Sequence, residues 1–107
     1  MIIEKGAEMK GVCKNLKDVL KIIHLVFYEE GNHLIIIATK WGRDEHREAH
    51  EHGLAIDVKK PIKASTKVIY RLKGALGVNF NVKTVRSHLH IEYDPVPVLK
   101  NRKGDNL

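Results

Sequence analysis

The sequence predicts an α+β domain in which two helices pack on a small, mostly antiparallel sheet. Two segments repeat their apolar residues at three-and-four spacing, as amphipathic helices do, and four short segments read as strands from a β-branched run or from alternation. They follow one another as helix, strand, loop, strand, helix, strand, strand, an order that segregates helices from sheet instead of alternating them.

Residues 1–14 show no period and read as an extended or irregular lead-in. The first helix is expected from Asn15, an N-cap with Asp18 at the third position. Its buried stripe is Leu16, Val19, Leu20, Ile23, Val26 and Phe27, and Gly31 is its C-terminal stop. His24 adjoins the stripe without a ligating partner at helical spacing, so it reads as a histidine packed at the edge.

The run His33-Leu34-Ile35-Ile36-Ile37-Ala38-Thr39 is apolar and continuous, which suits a central strand covered on both faces. Residues 40–52 are almost wholly polar and read as a long loop, a kind of segment that tends to carry function. Gly53-Leu54-Ala55-Ile56-Asp57-Val58 alternates small or polar residues with large apolar ones, as a strand does, and Pro61 ends it.

A second helix is expected with Ser65 or Thr66 as cap, Val68, Ile69, Leu72, Ala75 and Leu76 as its buried face and Gly77 as its stop. Val78–Val82 and Ser87–Tyr93 read as two strands joined by a short turn. Beyond Asp94 come Pro95, Pro97 and a polar run, so the domain is taken as residues 1–95 with a frayed tail over 96–107.

A chain of 107 residues, 43% of them hydrophobic, is long enough to bury one core without covalent staples. Its single cysteine, Cys13, rules out an intramolecular disulfide and a cysteine-built zinc site. Any metal must therefore be held by histidines and carboxylates. No apolar run reaches the ~18–20 residues that cross a bilayer, and the start of the chain lacks the pattern of a secretory signal, so the expectation is synthesis in the cytoplasm. Nineteen Lys and Arg against thirteen Asp and Glu give a net charge of +6, which favours an anionic partner. The basic residues are scattered and not interleaved with aromatics, which argues against nucleic acid as that partner.

Two clusters carry chemistry, His50-x-x-Gly53-x-Ala55-x-Asp57 and His88-x-His90. On a strand Gly53, Ala55 and Asp57 share one face, where the two small residues leave room beside the carboxylate. His88, His90 and Glu92 share one face of the last strand. If the two strands are neighbours, His50 and Asp57 meet a histidine of the other. Two imidazoles and one carboxylate, with a fourth position left for water, are the donor set of a catalytic zinc ion, which activates water and polarises a carbonyl.

The segment Glu45–Asp57 resembles the Ser-x-His-x-x-Gly-x-Ala-x-Asp motif of the zinc D,D-carboxypeptidases and L-alanyl-D-glutamate endopeptidases, which share a fold with the hedgehog signalling domain. His88-Leu89-His90-Ile91-Glu92-Tyr93-Asp94-Pro95 is similar to the closing motif of the small phage-encoded members, and the likeness spans roughly residues 11 to 95. The resemblance implies that His50, Asp57 and His90 are zinc ligands. It further implies a peptidase of the endolysin type, acting on peptidoglycan stem peptides once released to the cell wall. His88 would lie beside the activated water as a proton carrier or an oxyanion donor.

Three positions depart from the family pattern. Ser87 stands where an acid usually precedes the last ligand, Glu48 replaces a serine, and Ala38-Thr39 replaces Thr-Ser. A serine cannot serve as general base at neutral pH. Three accounts of Ser87 stay open: His88 is the base, an acid such as Glu92 or Glu48 substitutes, or the protein binds metal without cleaving. Glu92 is about 6–7 Å from His90 along a strand and would need a water or a bend to reach the site. Arg43 and Arg47 are candidates to clamp a substrate carboxylate, and His46 and His52 to act as spare ligands, each against the alternative of a solvated loop. Trp41 is either a cleft wall or packing.

Overall fold

The computed structural model of the chain describes residues 1–40 and 47–95, the side chain of Arg47 excepted. Five strands form one sheet: β1 (Ile2–Ile3), β2 (Ile35–Ala38), β3 (Ala55–Lys59), β4 (Phe80–Val85) and β5 (His88–Tyr93). Their order is β1-β2-β3-β5-β4, with β1 parallel to β2 and every other pair antiparallel. The helices are α1 (Lys14–Glu29), α2 (Arg47–Glu51) and α3 (Ser65–Leu76). An α+β architecture with a mostly antiparallel sheet is therefore what the chain adopts.

Strand alternation divides the sheet's work between its faces. Ile56, Val58, Leu89 and Ile91 point to one face and join Leu16, Ile23, Val26 and Phe27 of α1 and Val68 and Leu72 of α3 in the apolar core. Asp57, His88, His90 and Glu92 fall on the opposite face, where the paired register sets Asp57 directly across from His90. The stripe expected for α1 is the one buried, with Val19 and Leu20 half-buried at its edge.

The end of α1 shows why Gly31 stops it. Gly31 takes φ +81, its N–H bonds the Tyr28 carbonyl and the N–H of Asn32 bonds the Phe27 carbonyl, so two terminal carbonyls are satisfied at a left-handed residue. Asn32 then ties this end to the segment before α3. Its Oδ1 accepts from the N–H groups of Ile62 and Lys63 at 2.9 Å each, and its Nδ2 donates to the Lys63 carbonyl at 2.8 Å.

Several expectations are corrected. The lead-in contains β1, whose pairing is fixed by the Ile2 N–H on the Leu34 carbonyl and the Glu4 N–H on the Ile36 carbonyl; two residues are too few to show a period. The central strand is β3, and β2 lies one place from the edge with Ile35 and Ile37 only half-buried. A uniform isoleucine run hides which positions turn inward.

Cys13, not Asn15, precedes α1, without a side-chain cap, and Asp18 pairs instead with Lys14 at 2.7 Å. Ala64 at φ 50 precedes α3, so Ser65 and Thr66 are helical residues and neither caps; Ala75 is exposed, and Leu76 holds the last buried position. Part of the expected loop 40–52 is α2. The proposed tail 96–107 lies outside the described residues.

Candidate metal centre

The site is assembled from three elements that are distant in sequence. α2 supplies His50, β3 supplies Asp57 and β5 supplies His90, and all three side chains are buried. One ligand atom from each lies within 4.8 Å of the others, so this group can hold a metal ion. The Asp57 carboxylate is the hub: Oδ2 lies 3.1 Å from His50 Nε2 and Oδ1 lies 2.9 Å from His90 Nδ1. The two imidazoles meet edge to face, with ring centroids 5.1 Å apart.

Each imidazole is also held from its outer side. His50 Nδ1 faces the Thr39 carbonyl oxygen, and His90 Nε2 faces Glu92 Oε1 at 2.8 Å. Both of these oxygens are acceptors, so the outer nitrogen of each ring carries the hydrogen. A neutral imidazole has only one N–H. The inner nitrogens, His50 Nε2 and His90 Nδ1, then present lone pairs to an acidic oxygen, an arrangement completed by a cation or by an added proton on each ring. Outer-nitrogen anchoring by a carbonyl or carboxylate is the usual support of a metal-ligating histidine.

In the metal-free protein the charge state of Asp57 follows from the second of these arrangements, in which each inner nitrogen carries the added proton and donates it to the carboxylate. Burial alone would raise its pKa, but the hydrogen bonds from His50 and His90, with the charge of His50 and His88 nearby, outweigh burial and bring it from 3.8 to about 2. The carboxylate is thus ionised across the physiological range and ready as an anionic ligand.

His88 joins the cluster, its Nε2 3.4 Å from Asp57 Oδ2, and its side chain is 15% exposed where those of His50 and His90 are closed off. It is the histidine of the group that reaches the surface. Glu92 curls back onto His90 and supports that ring, which brings it closer than strand spacing alone would allow. Ser87 sits exposed in the β4–β5 turn, beside Arg86 at φ 53, and Glu48 and His52 are exposed at α2. Arg43, Trp41 and His46 lie outside the described residues, as does the side chain of Arg47. His24 stacks on Tyr28 along α1, in keeping with a packing role.

Two contributors were not legible in the sequence. Thr39 acts through its backbone carbonyl, and its hydroxyl fixes the segment by donating to the Glu8 carbonyl at 2.6 Å; no residue-type signal announces a carbonyl. Gly53 does not open a concavity on the strand. It precedes β3 at φ +71, and a Cβ there would lie 2.0 Å from the Gly11 carbonyl oxygen, so its bare backbone lets residues 11–13 close against the α2–β3 turn. The Cys13 N–H bonding the Gly53 carbonyl at 2.8 Å completes that contact.

Comparison with known protein families, curated proteins and solved structures finds no match to this chain. Among the described residues no helix is long and apolar enough to cross a membrane.

Proposed function

We propose that this chain is a zinc-dependent peptidase acting on the stem peptides of bacterial peptidoglycan. The observation that carries the metal is the orientation of the two buried imidazoles, outer nitrogens on oxygen acceptors and inner nitrogens turned to the ionised Asp57. Two histidines and a carboxylate without a thiolate suit zinc and leave one position open. When bound there, zinc supplies a Lewis acid and a water that is nucleophilic near neutral pH.

The chain's own residues divide the remaining work. Glu92 and the Thr39 carbonyl orient the ligands, and His88, at the open side of the cluster, accepts and returns a proton at Nε2. The peptidase assignment is supported by the motif spacing His50, Asp57 and His88-x-His90 together with the register that brings Asp57 opposite His90. Purified protein is expected to carry one equivalent of zinc by elemental analysis and to clear a suspension of cell walls, with clearing lost on chelation and in His50→Ala. Absence of stoichiometric zinc, together with an unchanged melting temperature of His50→Ala in added zinc, would overturn it.

A second reading is a metal-binding module of the same fold that does not hydrolyse. Ser87 exposed in the turn and Glu92 engaged on His90 favour it, since neither then serves as base. Wall clearing by Ser87→Asp separates the two: a large gain over a near-zero wild-type rate selects the silent module, and an active wild type selects the enzyme.

A further inference from the structure

Exposed apolar side chains scattered singly over a surface need no explanation, but on α1 they are gathered and lie among cations. At 3.6 residues per turn Lys14, Lys17, Lys21, His24, Leu25 and Tyr28 fall within about 100° of the helix circumference, roughly opposite the stripe of Leu16, Ile23 and Phe27 that enters the core. Leu25 is 52% exposed and Tyr28 71%, and the His24 ring stacks on that of Tyr28. Met1, just before β1 and 53% exposed, adds to the same surface: Met1, Leu20, Lys21, His24 and Leu25 line one apolar groove.

The acids of α1 are already engaged. Asp18 pairs with Lys14 at 2.7 Å and Glu29 with Arg71 at 2.6 Å, whereas Lys17 and Lys21 make no ion pair among the described residues. The surface therefore joins apolar area to free positive charge. A second copy of the same stripe offers these lysines no free acid. An anionic bilayer meets both parts, since its headgroups attract the lysines and the acyl boundary takes up the leucine, the methionine and the tyrosine ring.

We propose that this stripe of α1 is a membrane-binding surface, by which the protein lies on a bilayer containing anionic phospholipid. α1 covers one face of the sheet, and Asp57, His88 and His90 lie on the other, so docking through α1 leaves the metal centre turned away from the bilayer. The surface does not depend on what that centre cleaves.

Co-sedimentation of the purified chain with phosphatidylcholine vesicles, made with and without phosphatidylglycerol, tests the proposal. Wild type is expected to bind the anionic vesicles and not the neutral ones, more weakly as salt is added. Each lysine near such a surface contributes about five-fold in affinity, so Lys17→Gln combined with Lys21→Gln should weaken binding about 25-fold. Leu25→Gln should weaken it about ten-fold through the lost apolar contact. All three positions are exposed, and unchanged melting temperatures would verify that the variants fold. Failure of the wild type to bind anionic vesicles at low salt, or equal binding to neutral ones, overturns the proposal. So does binding that needs the lysines and is indifferent to Leu25→Gln, which marks a site for a plain anionic polymer. A dimer in vesicle-free solution that Leu25→Gln dissociates also overturns it, and marks the stripe as a contact between copies.

Discussion

His90 is held between two carboxylates, Asp57 on Nδ1 and Glu92 on Nε2, and the two are not equivalent. Asp57 is a ligand candidate, whereas Glu92 fixes the ring, a support whose loss typically costs 10–100-fold in metal affinity. Glu92→Ala should therefore weaken zinc binding by roughly that factor while leaving the fold intact, measured by competition with a chromogenic chelator; unchanged affinity would mean that the contact is incidental. Asp57 makes a separate prediction in the metal-free protein. Its pKa is lowered from 3.8 to about 2, so the ionised form stabilises the native state. That stability, on the order of 2 kcal/mol, is complete above about pH 4 and is withdrawn as pH falls through about 2. Urea unfolding between pH 5 and pH 2 should show a steeper decline for the wild type than for Asp57→Asn, which has no carboxylate to protonate. Parallel curves would show that the histidines do not hold the charge. These side chains were readable in the sequence because ligand types and strand period are both visible there; the Thr39 carbonyl that completes His50 was not, because every residue has one.

α2 illustrates where element-level reading fails. It has five residues, and the one turned inward is His50 rather than an aliphatic, so a search for apolar spacing passes over it and reports a polar loop. The helix caps failed for a related reason: Cys13 and Ala64 hold the cap positions through backbone geometry, without the side-chain acceptors by which caps are recognised. The stops succeeded, since Gly31 and Gly77 both adopt positive φ as the sequence implied. Two glycines inside the described chain should respond oppositely to alanine. At Gly53 the new Cβ would overlap the Gly11 carbonyl at φ +71, so Gly53→Ala should lose roughly 2–4 kcal/mol, and because the turn carries α2 it should loosen zinc binding as well. At Gly74, exposed within α3, a Cβ meets nothing within 4 Å, so Gly74→Ala should gain about 0.5–1 kcal/mol from higher helix propensity. Urea denaturation of both variants checks the pair, and a loss at Gly74 or a neutral result at Gly53 would contradict the packing described.

At the scale of the whole molecule the fold class was legible, but the strand order was not. Placing β5 between β3 and β4 brings Asp57 opposite His90 across 33 residues of sequence, and nothing local in either strand specifies that neighbour. It follows from closing both faces at once, the apolar one against α1 and α3 and the polar one around shared ligands. The centre thereby joins parts of the molecule that differ in how firmly they are held. β3 and β5 are paired over five residues, whereas α2 meets the sheet through few side chains, with His50 the buried one. Zinc bound by His50, Asp57 and His90 would clamp α2 to the sheet. At a free zinc concentration about a hundred times the dissociation constant, binding adds about 2.7 kcal/mol, which in a domain of this size raises the melting temperature by about 10 °C or more. Global stabilisation alone would slow amide exchange where exchange needs full unfolding. Residues 47–51, which few side chains hold to the sheet, are expected to exchange through local opening in the metal-free protein; because that opening breaks the His50 ligation, their protection should also rise with zinc, by up to the same factor. Hydrogen exchange with and without zinc measures both. A higher melting temperature with unchanged exchange over residues 47–51 would place the ion somewhere other than at His50.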